Sequence, residues 1–581
     1  MPFFPALGSS TAALRRWCLA LSIALLTPAC AELPKNVERP VSHALAAPAG
    51  TPLALLVQQR HDAAAAHFDS GFVLLAGPQA AYGSRLALVE GARKTLDLQY
   101  YSIHADASTG RLLAAVRDAA ARGVRVRILL DDFHSTGRDA SVMRLAFVPN
   151  IEMRMFNPLA GARSSTLGRL FNSLDDASRI QQRMHNKLFL ADNVMGVTGG
   201  RNLGDAYFGN ADSGNFVDLD VLSAGPIVQD LSRSFDAYWN NERAYPVQSL
   251  VTREELDKIR DSTKAADGAT RQDPSATTAQ PPDAGGAGPT PEQRAHAWDE
   301  KPMDLNTADF VWAPAVVMAD KPAKIPPDPA SADAGDGKAP GLTVSQQVDK
   351  QAGARTSHSL EAAADTAADG ETVVDGLLQL IGQARQDLLI ISPYFVPGPE
   401  IMQAFTAAHE RGVRIRVLTN SLASNDAPVA HVGYARHREA LLAAGVDLYE
   451  LRSEQTGLRS AFGSSGSDFS GKSRAMLHSK ALVMDGRLLV VGSMNLDLRS
   501  QLQNTEVALL IRSNQLSGMA SHQIENVLRE GAWHVERVDG RLIWRAPQHS
   551  GVQDATTEPD ASAGLRLLLK LFGPLAPDSM L

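Results

Sequence analysis

Two stretches of the 581-residue chain carry one spacing of reactive side chains. MHNKLFLADN holds His185, Lys187 and Asp192, and LHSKALVMDG holds His478, Lys480 and Asp485, so both read H-x-K-x-x-x-x-D. A turn of small residues and an asparagine follow each: Gly199, Gly200 and Asn202 in the first, Gly492, Ser493 and Asn495 in the second. In both copies the asparagine stands 17 residues past its histidine. One isolated H-x-K is most simply a solvated strand, but two complete copies at matched spacing point to a site. Residues two apart on a strand share a face, so each His and Lys would point one way while leucines such as Leu188 and Leu190 pack on the other. One imidazole could attack phosphorus while its twin protonates the leaving oxygen, splitting a phosphodiester displacement into two steps. Lysines and asparagines set around the phosphate oxygens would stabilise the developing charge. A carboxylate such as Asp218 or Glu506, each downstream of its own motif, could hold a histidine ring in one orientation. The near-symmetry leaves open which histidine attacks and which protonates.

Metal and thiol chemistry have little support. Lysine is a poor ligand, no further His or carboxylate cluster lies at metal spacing, and the two cysteines, Cys18 and Cys30, both fall in the first thirty residues. The expected site therefore uses neither metal nor cofactor.

The elements that must position these groups repeat as well. Residues 96–103 read as a strand, Arg111 to Arg122 as a helix and Val124 to Leu130 as a strand; Leu388 to Ser392, Glu400 to Arg411 and Val413 to Thr419 repeat the pattern. ARGVRVRILL at 121–130 matches ERGVRIRVLT at 410–419, an offset of 289 against 293 between the histidines. Such a long period implies an internal duplication, not a solenoid.

With its duplicated H-x-K-x-x-x-x-D motif over roughly 70–250 and 370–545, the sequence resembles the phospholipase D superfamily. The resemblance implies an α/β fold: two homologous halves, each a β-sheet flanked by helices, with both motifs in one cleft at a pseudo-twofold interface. It also implies a phosphohistidine intermediate, with His185 as nucleophile, His478 as general acid, and Lys187, Lys480, Asn202 and Asn495 gripping phosphate. GGRNLGDAYFG, FVDLDV and GSMNLDLRSQLQNTE look like the bacterial cardiolipin synthases without amino-terminal membrane spans, which move a phosphatidyl group from one phospholipid to the alcohol of another. By that resemblance the partners are phospholipids, such as phosphatidylglycerol and phosphatidylethanolamine, at a membrane surface. A phospholipase D hydrolase is the first alternative. A nuclease is disfavoured by the net charge of −8, and a dead lipid-binding protein by the completeness of both motifs.

Arg15 and Arg16, a short apolar run and small residues before Cys30 describe an export signal over residues 1–29. Cys30 resembles a bacterial lipoprotein cleavage site, although Thr27 and Pro28 depart from the usual residues. An exported protein of the bacterial envelope, lipid-anchored if Cys30 is modified, is the expectation. The body then divides into an N-terminal segment (30–65), a first catalytic half (66–250), a flexible linker (251–308), a docked strand (309–325), a second linker (326–370), a second half (371–545) and a C-terminal tail with a helix (546–581). Residues 565–575 suit a buried helix better than a membrane-surface one. Tyr100, Tyr101, Tyr394 and Phe395 end matching strands near the expected cleft. Arg499 and Ser500 differ from Tyr207 and Phe208 in the other half and hint that the halves treat different ends of a substrate.

Overall fold

The computed structural model describes residues 33–161, 163, 177–272, 289–325, 341–345, 354–454 and 474–572. The leader and Cys30 lie outside the described residues.

The apolar runs become strands in two sheets. The first half and its extension supply β1 (Gly71–Leu75), β2 (Thr95–Tyr100), β3 (Arg125–Asp131), β4 (Ile151–Phe156), β5 (Leu188–Ala191), β6 (Met195–Gly199), β7 (Gly214–Val217), β8 (Asp220–Ala224), β9 (Ala244–Pro246) and β10 (Val311–Trp312). All but β7 form a nine-stranded sheet in the order β10-β1-β8-β6-β5-β2-β3-β4-β9. The remainder supplies β11 (Ala315–Asp320), β12 (Leu342–Val344), β13 (Asp387–Ile391), β14 (Arg414–Asn420), β15 (Val446–Leu451), β16 (Arg474–Leu477), β17 (Ala481–Met484), β18 (Leu488–Gly492), β19 (Val507–Arg512), β20 (Ala532–Val538) and β21 (Arg541–Arg545). All but β16 form a ten-stranded sheet in the order β12-β11-β19-β18-β17-β13-β14-β15-β20-β21.

The duplication is visible in the register. β2, β3 and β4 run parallel, as do β13, β14 and β15. The helices Ala107–Ala121 and Pro399–Glu410 make the matching crossovers. Matched ion groups mark the same places: Arg127 bonds Asp97 and Asp236, while Arg416 bonds Asp387 and Glu525. One apolar cluster fills the outer side of each half. A third is shared: Leu188, Leu190 and Trp239 of the first half lie in one cluster with Val483, Leu489 and Leu509 of the second. The central layer is thus a core cut by no domain boundary, which fixes the halves against each other.

The segment expected as one docked strand over 309–325 is divided. β10 joins β1 of the first sheet and β11 joins β19 of the second, so the chain stitches the two sheets within ten residues. The expected flexible linkers also carry structure. Helices Arg253–Gln272 and Pro291–Asp299 lie in the first, and β12 with helix Ala354–Ala368 in the second. Composition hid them because few large apolar residues are present. The Thr290–Gln293 capping box starts one helix, and alanine, a strong helix former, lines another, where Leu360, Ala364 and Ala367 are buried. The C-terminal helix Ala563–Phe572 is not the buried helix expected either, since Leu567 and Leu571 are exposed.

Candidate active site

Both motifs turn out as a short strand after the histidine, closed by a hairpin. His185 and Lys187 precede β5, and His478 and Lys480 precede β17. The two halves meet beside the histidines through a sheet of two strands. β7 of the first half pairs in parallel with β16 of the second, from Gly214↔Arg474 to Val217↔Leu477. The next residues are Asp218 on one side and His478 on the other, and the His478 N–H donates to Val217 O at 2.9 Å. On the pseudo-symmetric side the His185 N–H donates to Thr505 O at 3.0 Å, just before Glu506.

This pairing exchanges carboxylates between the halves. His478 Nδ1 lies 2.8 Å from Asp218 Oδ2, and His185 Nδ1 lies 3.0 Å from Glu506 Oε2. Each carboxylate is therefore downstream of one motif and holds the histidine of the other. With Nδ1 engaged, Nε2 is the nitrogen each ring has left for chemistry. The lysines match too: Lys187 Nζ donates to His185 O at 2.8 Å and Lys480 Nζ to His478 O at 2.6 Å. Lys187 Nζ lies 5.8 Å from the Tyr101 ring centre and Lys480 Nζ 5.9 Å from that of Tyr394. Of the four strand-end aromatics, Tyr101 and Tyr394 thus border the site, whereas Tyr100 and Phe395 are buried in the cores.

The carboxylates are not equivalent. Burial pushes the Glu506 carboxyl up to about 7, although Lys187 and the hydroxyls of Ser493 and Ser500 pull the other way. Asp218 is equally buried, yet the hydrogen bond and charge of His478, with Arg201 and Lys480, hold it below the usual carboxylate range. The small-residue turns around the two carboxylates differ as well. A Cβ at Gly200 would stand 2.2 Å from Asp218 Oδ1, so only glycine admits that carboxylate. At the matching position Ser493 Oγ donates to Glu506 Oε2 at 2.5 Å, and Ser500 Oγ donates to Oε1 at 2.9 Å.

The basic groups describe a site built for an anion. Burial, then the neighbouring Lys480, lowers Lys187 to about 7; burial lowers Lys480 to about 8. Burial and Lys480 bring His478 to about 4, while burial and the charges of Lys187, Lys480 and Arg499 hold His185 well below its ordinary value. A phosphodiester anion among these groups would relieve their mutual repulsion. Asn202 is fixed in place, accepting from Ser102 N–H at 3.3 Å and donating to the Tyr207 hydroxyl at 3.0 Å. Asn495 Oδ1 is buried with no hydrogen-bond partner among the described residues.

The aspartates of the motif lie elsewhere, and their expected place among the catalytic groups is corrected. Asp192 and Asp485 begin the β5–β6 and β17–β18 hairpin turns, with φ of 49° and 53°, a left-handed conformation that Asp tolerates. Each stands five strand positions past its lysine, roughly 16 Å away. Asp192 accepts the N–H groups of Arg93, Lys94 and Thr95, and Asp485 those of Arg385, Gln386 and Asp387. Each ties its hairpin to the start of the adjacent parallel strand. Asp192→Ala is accordingly expected to cost about 1–3 kcal/mol of stability, from buried donors left unpaired. Turnover per folded molecule stays unchanged, as denaturant unfolding beside activity normalised to folded protein would show; a turnover collapse in stably folded protein would return this residue to the catalytic set.

Sequence reasoning missed the support beneath Glu506. Asp320 at the end of β11 accepts the Glu506 N–H at 2.9 Å and pairs with Lys324 at 2.7 Å. Burial pushes its carboxyl up to about 6. The Asp320-x-x-x-Lys324 spacing after an apolar island was the available signal. Among the described residues no group of three or more His, Cys, Asp or Glu is arranged to hold a metal ion.

Two α/β halves that hold each other's histidines in one cleft define the duplicated phospholipase D class of phosphodiester-transferring enzymes. The family profile described as "Cardiolipin synthase, PLD-like domain" matches twice, at residues 86–239 and 377–528, and the chain belongs to that family. Cardiolipin synthase C of Escherichia coli (strain K12) is 34% identical over 86% of this chain and 94% of its own length. Cardiolipin synthase A of Yersinia pseudotuberculosis serotype O:1b (strain IP 31758) is 22% identical over 78% of this chain and 69% of its own. The crystal structure of phosphatidylserine synthase from Haemophilus influenzae Rd KW20 aligns with 89% of this chain and 98% of its own at 12% identity, with a TM-score of 0.49.

Proposed function

We propose that this protein transfers a phosphatidyl group from a phospholipid donor to the hydroxyl of a second phospholipid, as in cardiolipin synthesis. The observation that carries the reading is the exchanged pairing of His185 with Glu506 and His478 with Asp218, joined to family membership. In the first step His185 Nε2 bonds to phosphorus while the bond to the donor's head-group oxygen breaks, and His478 gives that oxygen its Nε2 proton. In the second, the acceptor hydroxyl gives its proton back to His478 and bonds to phosphorus as the P–N bond breaks. The unequal carboxylates support this division. A phosphodiester anion bound beside Lys187 and Lys480 would offset the repulsion that brings His478 to about 4, so that ionised Asp218 can then hold it as an imidazolium, and Glu506, with its carboxyl at about 7, leaves His185 neutral and nucleophilic. All four His and Lys side chains are buried, so competing water meets an enclosed site.

The leader over residues 1–29 supports export to the bacterial envelope, and Cys30 supports a lipid anchor on its periplasmic side; labelling cells with a fatty acid, with and without Cys30→Ser, tests the anchor. The activity is tested by mass spectrometry of mixed phosphatidylglycerol and phosphatidylethanolamine vesicles after incubation with the protein, beside His185→Ala and His478→Ala. Histidine-dependent cardiolipin is expected. Histidine-dependent phosphatidic acid alone would replace transfer with hydrolysis.

A further inference from the structure

The active cleft lies at the C-terminal ends of the parallel strands, the edge where open α/β sheets bind their ligands. Three large apolar side chains stand exposed on elements that leave that edge or pack against ones that do: Trp298 at 62%, Val429 at 54% and Leu502 at 56%. Each is tied to the site by a short chain of contacts. Val429 opens the helix Pro428–Ala443 after β14. It lies three residues past Asp426, whose Oδ2 accepts from the hydroxyl of Tyr394, the ring under Lys480. Leu502 ends the short helix Leu498–Leu502, one turn from Arg499, whose charge reaches His185. Trp298 sits on the helix Pro291–Asp299, bonded through Gln293 to Asn210 in the loop that follows Asn202. Its indole lies 5.7 Å from the guanidinium of Arg111, in the first turns of the crossover helix leaving β2.

Single exposed apolar residues need no explanation. These three differ in standing on elements whose contacts reach both halves of one site. No helix among the described residues is long and apolar enough to cross a membrane, so these side chains belong to no spanning segment. An indole stacked with arginine is suited to the boundary between head groups and acyl chains, with the cation toward anionic phosphate.

We infer that Trp298, Val429 and Leu502 form a rim that seats the mouth of the cleft on an anionic lipid bilayer, so that a phospholipid enters the site without leaving the membrane phase. The inference rests on the proposed reading of the site as one for phospholipids, and it names the surface that delivers them.

Trp298 gives a readout by difference, because Trp239, Trp533 and Trp544 are buried and Trp312 is packed against the first core. The full chain is mixed with phosphatidylglycerol–phosphatidylethanolamine vesicles whose acyl chains carry bromine, with Trp298→Phe as the reference. The emission lost in that variant is expected to shift to the blue and be quenched. Val429→Asp combined with Leu502→Asp is expected to lower transfer from vesicles about tenfold, while leaving turnover of a water-soluble short-chain phosphatidylglycerol unchanged. Unshifted, unquenched Trp298 emission on vesicles would overturn the inference, as would equal losses on vesicle and soluble substrates. His185→Ala separates the two readings. If it retains the Trp298 shift while wild-type protein makes no cardiolipin, the seat stands and the transferase reading falls.

Discussion

Replacing His185 by asparagine is expected to abolish transfer, and replacing His478 by asparagine to abolish it only when the leaving group needs a proton. With natural phospholipids both variants should fall by about 10⁴-fold or more, since a covalent route loses either its nucleophile or its acid. A phosphatidyl ester of p-nitrophenol separates them, because nitrophenolate departs without general-acid help. His478→Asn should then release a stoichiometric burst of nitrophenolate and stall with phosphorus on His185. His185→Asn should release none. Rapid-mixing absorbance, with mass measurement of the trapped protein, reads both. A burst from His185→Asn and none from His478→Asn would exchange the two roles. The unequal carboxylates are what support the assignment.

Those carboxylates give the second large effect. Asp218→Asn is expected to lower kcat by about 10³-fold, because the amide cannot stabilise an imidazolium at His478 and can reverse the ring's tautomer. Glu506→Gln is expected to cost only about tenfold, since Ser493 and Ser500 still hold the side chain and His185 works as a neutral ring. The pH profile separates catalysis from packing. Lys187 and Glu506 both titrate near 7, so loss of Glu506 should simplify the kcat/KM profile there to the contribution of Lys187 alone, and the Asp218 variant should keep both contributions at a lower plateau. Equal losses in the two variants would mean that both histidines need the same electrostatic support, and the division of roles proposed above would fail.

Much of this arrangement was legible in the chain. His and Lys two apart, the matched asparagines and the ARGVR–ERGVR repeat are local patterns, and local patterns survive without knowledge of the fold. The βαβ units were readable for the same reason, with boundaries displaced by a few residues, as at Ala107–Ala121. What could not be read was partnership across the duplication. Asp218 and Glu506 were candidates by position, but sequence order places each beside its own histidine, and only the parallel pairing of β7 with β16 reveals the exchange. The motif aspartates misled in the opposite direction. Asp192 and Asp485 recur in the pattern with the reactive groups, although their repeated task is to pin a hairpin by accepting backbone N–H groups. Recurrence records a shared constraint and does not say whether that constraint is chemical or architectural. Apolar content is a poor measure of order in the linkers, because capping and alanine packing order Pro291–Asp299 and Ala354–Ala368.

The exchange of carboxylates also bears on how the protein comes to be active. A half that folds alone presents a histidine without its anchor and an anchor without its histidine, so neither motif can be competent before the halves dock. Competence therefore arrives in a single step, late in assembly, as a report that the whole chain has been put together.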